Sequence, residues 1–247
     1  MDFNLARSNN ASIYTNWGNA LYALAILNSD EALYKESFEK YSKANELNPN
    51  DARIYYNWGN ALYALAILNS DEALYKESCE KYSKANEFNP NDARIYYNWG
   101  AALADLAQLK SIPALFEASF DKYKKAIENK PNYADAYNNW GSSLWDLAEL
   151  KSDPALFEES FGKYKKAIEI NPDYTTAYYN WLFALKQLTQ LKIVNIEKLF
   201  FYLEEYLKYC KSKVTRSDIE NDADFATLKG DPRFQQLLDK YSPDEKP

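Results

Sequence analysis

The sequence predicts an all-α protein in which helical hairpins stack in series as an α-solenoid. Three observations lead to this fold class: a tryptophan recurs at a constant interval of forty-one positions, apolar residues follow helical spacing within each repeat, and short polar breaks separate the helical stretches. The recurring tryptophans are Trp17, Trp58, Trp99, Trp140 and Trp181.

Other residues recur with the same spacing. Residues 10–50 and 51–91 differ at only five positions, which indicates a duplication. A single amphipathic hairpin cannot bury both of its faces, so successive units must pack against one another. The other recurring residues are Gly18, Gly59, Gly100 and Gly141, Pro49, Pro90, Pro131 and Pro172, and Asn16, Asn57, Asn98, Asn139 and Asn180.

Each unit divides into two helices, here called helix A and helix B. In the second unit, residues 69–71 (Asn-Ser-Asp) form a polar break between them, and Pro90 ends helix B. Pro113 and Pro154 stand where first-turn prolines of helix B belong. The apolar positions of this unit's helix A are Ile54, Tyr55, Trp58, Leu62 and Leu65, and the positions on one face of its helix B are Leu74, Tyr75, Ser78, Cys79, Tyr82 and Ala85.

The glycine inside helix A needs an explanation, because glycine costs about 1 kcal/mol relative to alanine in a helix interior. We expect Gly59 to meet the small Ser78 where helices A and B cross, so that the two backbones can approach closely. We expect Trp58 to fill the groove towards the neighbouring hairpin.

The strings "YYNWGNAL" and "FGKYKKAIEINPDY" resemble the tetratricopeptide repeat, a helix-turn-helix unit of about 34 residues. The aromatic residue and glycine of that pattern match Tyr55 and Gly59, and its closing proline matches Pro90. The repeat of this chain is longer by seven positions, which amount to about two helical turns, so one more turn in each helix keeps both apolar faces in phase. The resemblance implies a right-handed superhelix whose helices A line a concave surface that binds peptides.

The predicted organisation is an N-terminal arm at 1–9, five hairpins over 10–213 and a C-terminal helical cap and tail at 214–247. The fifth unit departs from the pattern, since Leu182 replaces the glycine and its helix B, near 195–211, lacks the Tyr and Ala signature. The C-terminal segment is expected to cover the end of the solenoid. The five hairpins are predicted at about 10–50, 51–91, 92–132, 133–173 and 174–213.

The candidate binding residues are the helix A positions that match the family's contact surface. Asparagine both donates and accepts hydrogen bonds, which suits pairing with a peptide backbone. The alternative is that these asparagines only bond to neighbouring helices, and the sequence leaves both interpretations open. The candidates are Asn16, Asn57, Asn98, Asn139, Asn180, Arg53, Tyr56, Asn60, Tyr63, Arg94, Tyr97, Asn138, Trp145 and Tyr179, with Phe183 beside the last of these.

Composition disfavours several other functions. A formal net charge of -7 argues against nucleic acid, and the absence of histidine removes the most common general base and metal ligand. We expect no cofactor, no metal site and no catalysis; the equivalent carboxylates Asp105 and Asp146 are expected to project into solvent. The sequence shows no signal peptide or membrane span, which makes the cytoplasm the expected location, and Cys79 is interpreted as core filler.

The function favoured by the sequence is a protein-interaction scaffold that holds a partner peptide or protein segment. The alternative is self-assembly, because the first unit is nearly a copy of an interior unit and lacks a preceding lid. Its N-terminal face, which includes Ile13, Tyr14, Trp17 and Leu21, is expected either to bind a second copy of the protein or to be covered by the N-terminal arm.

Overall fold

The computed structural model describes residues 3–191, 194–210 and 216–241, and every regular element in these ranges is helical. The all-α fold and the succession of helical hairpins are therefore confirmed. The five hairpins are α1 (Phe3–Asn28) with α2 (Glu31–Leu47), α3 (Ala52–Asn69) with α4 (Glu72–Phe88), α5 (Ala93–Lys110) with α6 (Pro113–Asn129), α7 (Ala134–Lys151) with α8 (Pro154–Ile170), and α9 (Thr175–Leu191) with α10 (Ile196–Cys210). The C-terminal elements are α11 (Arg216–Glu220), a 3-10 turn (Ala223–Phe225), α12 (Ala226–Lys229) and α13 (Pro232–Tyr241).

In each of the first four hairpins, the turn contains a serine in the left-handed conformation followed by the N-cap position of helix B. Ser70 adopts the left-handed conformation (φ 51°) that ends α3, and the Asp71 carboxylate then accepts a hydrogen bond of 2.7 Å from the backbone N–H of Ala73. Pro113 and Pro154 lie in the first turns of α6 and α8. These positions confirm the predicted break between helices A and B.

The helix A glycine lies against a tyrosine ring that the sequence did not indicate. In the fourth hairpin the serine equivalent to Ser78 also lies at the crossing, with the Ser160 carbonyl oxygen 3.2 Å from a Cβ atom placed at Gly141. A Cβ atom at Gly59 would come within 2.8 Å of Cε1 of Tyr82, which lies about one helical turn beyond Ser78 in α4. Tyr82 is fully buried, and its ring needs the space that a side chain would occupy. The same contact joins Gly18 to Tyr41, Gly100 to Tyr123 and Gly141 to Tyr164.

The chain divides into two compact units, Met1–Pro131 and Asn132–Pro247. In the first unit, α3 contacts both α1 and α2 of the preceding hairpin. Ile54 and Ala61 are fully buried in a cluster with Tyr41, and Trp58 packs against this cluster as expected. The ammonium group of Lys81 lies 4.0 Å from the centre of the Trp58 ring. Trp58 therefore lies between the previous hairpin and a lysine of its own helix B.

In the second unit, helices α7 to α13 share one hydrophobic core. Trp181 and Tyr206 of the fifth hairpin lie in it with their rings 5.6 Å apart. Phe225 and Phe234 of the C-terminal elements are at most 1% exposed in the same core. The C-terminal segment thus completes the core of the fifth hairpin.

Residues 3–9 differ from the separate arm expected from the sequence. They continue α1, which begins at Phe3, so they extend along the helix axis and do not turn back over the face of the first hairpin. Helix B of the fifth unit spans Ile196–Cys210, close to the expected 195–211. Residues 1–2, 211–215 and 242–247, which include the boundary near 213 and the end of the tail, lie outside the described residues.

Candidate partner-binding surface

Asn98 links two helices A of the first unit. Its Nδ2 donates hydrogen bonds to the Tyr56 hydroxyl oxygen at 3.1 Å and to Oδ1 of Asn60 at 2.8 Å, both on α3. The Tyr82 hydroxyl donates to the same Asn60 oxygen at 2.9 Å. A side-chain amide has two N–H donors, so Asn98 uses both within this network.

A related link joins α7 and α9 in the second unit. Nδ2 of Asn180 donates to Oδ1 of Asn138 at 3.0 Å and to the Ser142 hydroxyl oxygen at 3.5 Å, while Asn138 donates to Oδ1 of Asn139 at 3.1 Å. Asn138 is only 3% exposed. The asparagines that the sequence singled out therefore bond between helices in both units; Asn16 is exposed and Asn57 half-buried.

The two candidate arginines lie at the N-terminal ends of α3 and α5. Arg94 forms a two-point ion pair with Asp92, with distances of 3.0 and 2.6 Å, and its guanidinium group lies 5.4 Å from the centre of the Tyr56 ring. Arg53 pairs with Asp51 in the same way. The hydrogen bonds from Arg94 lower the pKa of Asp92. Arg94 is thus held beside Tyr56 of the network, and both arginine side chains remain exposed.

Tyr63 and Asp105 form a second polar link between α3 and α5. The Tyr63 hydroxyl donates to Oδ2 of Asp105 at 2.7 Å, and burial raises the pKa of this carboxyl group. The expectation that Asp105 projects freely into solvent was wrong, because the neighbouring helix A covers this position on α5. The Tyr97 ring, also a candidate, lies 6.4 Å from the Tyr123 ring.

Replacing Asp105 with asparagine is expected to stabilise the first unit at pH 7 by about 2–4 °C, the shift that about 1 kcal/mol causes in a chain of this size. Asparagine keeps an acceptor for Tyr63 without the buried charge. Since the folded pKa of Asp105 is raised, the stability linked to this group is fully present below its unfolded pKa of about 3.9 and is lost as the pH rises through the folded value. The difference in melting temperature between the Asp105→Asn variant and the wild-type protein should therefore increase from pH 4 to pH 7. A difference that does not change with pH would contradict the burial of the Asp105 carboxylate.

The remaining candidates separate into exposed and buried residues. Tyr179 is 63% exposed and Phe183 is 56% exposed, one turn apart on α9 beside Asn180. Trp145 is only 4% exposed and packs against Phe157, with ring centres 4.4 Å apart. Trp145 therefore belongs to the core and does not reach the surface that Tyr179 occupies.

Ser142 is a further polar residue of this surface that was not among the sequence candidates. It accepts a hydrogen bond from Asn180, and its hydroxyl oxygen lies 3.3 Å from that of Tyr164, which donates to it. Ser142 stands two repeats after Asn60, which accepts the equivalent bonds in the first unit. This repeat spacing is the feature of the sequence that could have indicated Ser142. Ser142 was overlooked because serine and asparagine differ in size, although both can accept a hydrogen bond from the next helix A.

Within the described ranges, no helix has the length and apolar character needed to cross a membrane. The same residues contain no group of three or more acidic or cysteine side chains placed to hold a metal ion.

Comparisons with known proteins agree with the repeat. A family model described as "TPR repeat" matches residues 34–65, which cover most of α2 and α3. No curated protein sequence matches the chain.

Several solved structures share the fold at low sequence identity. Pseudomonas aeruginosa PilF has a TM-score of 0.57 at 14% identity, covering 97% of this chain and 95% of that protein. PilW, described as a type IV pilus biogenesis factor, has a TM-score of 0.53 at 16% identity and covers 94% and 95%. MamA from Desulfovibrio magneticus RS-1 has a TM-score of 0.56 at 14% identity and covers 83% and 98%. The family model thus matches one TPR repeat of this chain, at residues 34–65, and the solved structures share its fold.

Proposed function

We propose that the chain is a non-enzymatic scaffold that binds an extended segment of a partner protein on the surface formed by its helices A. The supporting observation is the exposed pair Tyr179 and Phe183, which stand one turn apart on α9 next to a fixed asparagine. Large aromatic side chains that remain exposed together are typical of binding surfaces. The general role in protein interaction agrees with the TPR repeat and its structural neighbours.

In the first unit, the polar network around Asn98 offers a set of contacts of its own. Because Asn98 uses both of its donors, its remaining capacity is the carbonyl oxygen, which can accept a hydrogen bond from a peptide N–H. Arg94, held by Asp92, supplies an exposed cation beside the Tyr56 ring. In the first unit we therefore expect the partner to donate backbone N–H groups to the Asn98 carbonyl oxygen.

A selection from a random peptide library tests the proposal. Peptides that bind the wild-type chain should bind at least about 10-fold more weakly to a protein carrying both Tyr179→Ala and Phe183→Ala, since each lost aromatic contact at the centre of an interface costs about 1–2 kcal/mol. The matched control is Phe201→Ala, which removes a 59% exposed aromatic side chain from α10, a helix B.

Two outcomes would contradict the proposal. One is a selection that yields only peptides whose binding is unchanged by the double substitution. The other is an equal loss with Phe201→Ala, which would place the contact on helix B. Circular dichroism of each variant ensures that a loss of binding is not a loss of folding, and little change is expected because these side chains are exposed.

A second candidate function is self-association through α1, and the repeat itself supports it. Ile13 is 61% exposed and Leu24 is 48% exposed, whereas the equivalent Ile54 and Leu65 are at most 2% exposed because the preceding hairpin covers them. α1 also carries no charged residue between Ser8 and Asn28. A second copy that packs on this face would bury it without opposing charges.

Under this second candidate, light scattering should show a mass approaching twice 28.6 kDa as the concentration increases. The double variant Ile13→Glu with Leu24→Glu should remain monomeric, because it places charges in the contact. Leu150→Glu, at an exposed site on α7, should leave the association unchanged. A monomeric wild-type chain at millimolar concentration would exclude the dimer.

A further inference from the structure

An apolar cavity of about 520 Å³ lies beside Cys79, between α4, α5 and the first turn of α6. All of it belongs to the first unit, and it is open to solvent on one side. Its apolar lining includes Leu103, Leu106 and Leu115. Burial raises the pKa of the Cys79 thiol to about 12, so the thiol is neutral at pH 7 and adds no charge to the cavity.

The first hairpin shows what fills this place elsewhere in the chain. There the equivalent position is Phe38, whose side chain packs against a cluster of Ala25, Tyr34 and Leu65. A phenyl ring on α2 thus occupies the space between helix B of that hairpin and helix A of the next.

One repeat later the same cluster exists without the ring. Its buried members are Ala66, Tyr75 and Leu106, each one repeat length after its counterpart, but Cys79 is not among the residues packed against it. The thiol side chain is too short to reach the space that a phenyl ring fills. The cavity therefore arises from the replacement of phenylalanine by Cys79 in an otherwise repeated environment.

The fourth hairpin provides a second comparison. Phe161 occupies the position of Cys79 there, and its ring centre lies 4.9 Å from that of Tyr202 on α10. In the fourth hairpin, as in the first, a phenyl ring at this position packs against neighbouring side chains.

The rim of the cavity suits a polypeptide that approaches from outside. Glu72 pairs with both Lys76 and Lys110 at 2.6 Å. Glu80 is a second carboxylate in the lining, so two acidic and two basic side chains balance and do not demand a charged ligand. Ile112 at the rim is 40% exposed, and the nearby Leu109 is 42% exposed. A bound chain would cover these apolar side chains, which a ligand confined to the cavity would leave exposed.

We propose that this cavity binds the phenylalanine side chain of a partner polypeptide, whose ring takes the place that Phe38 fills in the first hairpin. The site lies on α4, α5 and α6 and does not include the Asn98 network, so it is independent of the function proposed above. A partner could anchor one aromatic residue here whether or not another segment binds on helices A.

The probe is N-acetyl-phenylalaninamide, added to the full chain labelled at its leucine methyl groups for NMR. We expect saturable shifts of the Leu103, Leu106 and Leu115 methyl signals, with a dissociation constant on the order of 1 mM, as is usual for a ligand of this size. N-acetyl-alaninamide should cause no such shifts. Cys79→Phe should weaken binding at least 10-fold because its own ring fills the cavity.

Phe38→Cys is the matched gain-of-function variant, since it should open a second site in the first hairpin and shift the Leu65 methyl signal. Ala114→Trp covers the mouth of the cavity from an exposed position and should also block the probe, which keeps the test decisive if Cys79→Phe folds poorly. The proposal is overturned if the probe does not bind the wild-type chain, or if it binds equally well to Ala114→Trp.

Discussion

Replacing Gly141 with alanine is expected to destabilise the second unit by about 1–2 kcal/mol, although alanine is the better helix former by about 1 kcal/mol. A Cβ atom at Gly141 would lie 2.8 Å from Cε1 of Tyr164 and 3.2 Å from the backbone carbonyl oxygen of Ser160. Tyr164 is 2% exposed, so its ring cannot move aside without disturbing the core. The overlap should outweigh the gain in helix propensity.

Gly162→Ala is the matched control in the same hairpin. Gly162 lies inside α8, and a Cβ atom there would have no neighbour within 4 Å. This substitution should stabilise the protein by up to about 1 kcal/mol through helix propensity alone. Urea unfolding followed by circular dichroism measures both effects, and a stabilising result at both positions would contradict the glycine–tyrosine contact.

Replacing Phe234 with alanine is expected to destabilise the second unit by about 3–5 kcal/mol, the usual cost of removing a buried phenylalanine ring. Phe234 is fully buried on α13 and lies 6.5 Å, between ring centres, from Phe225 in the core that also contains Trp181. Thermal unfolding should show an earlier transition for the second unit, since the stability of a repeat protein depends on contacts between neighbours.

Gln236→Ala is the control for this prediction, because Gln236 is exposed on the same helix. Its effect should stay within about 0.5 kcal/mol. If Phe234→Ala were equally mild, the C-terminal helices would not be part of the core, and the interpretation of this segment as a cap would fail.

The features that follow from local chemistry could be predicted from the sequence. Pro113 marks the first turn of α6, and Ser70 with Asp71 marks the turn before α4, because the backbone preferences of these residues act within a few positions. The tyrosine ring nearest to Gly59 could not be found in this way. Ser78 and Tyr82 lie on the same face of α4, and only the crossing of the two helices decides which of them lies nearest to the glycine.

The candidate surface was predicted less completely for a similar reason. Sequence position places Asn98, Asp105 and Trp145 on helices A, but the neighbouring helix decides which of these side chains are covered. Asn98 and Asp105 turned out to bond to α3, and Trp145 to pack against Phe157. Asn98 is compatible with both roles considered for the asparagines. Its two N–H donors bond to the neighbouring helix, while its carbonyl oxygen can still accept a hydrogen bond from a peptide.

Site-specific photo-crosslinking tests the central claim, that helices A carry the binding surface, most directly. A photoreactive phenylalanine analogue would be placed at Tyr179 on α9 or at Phe201 on α10, both exposed by more than half in the wild-type chain. A peptide selected for binding to the wild-type chain should crosslink from position 179 and not from position 201. Crosslinking from position 201 alone would contradict the account and assign the surface to helix B.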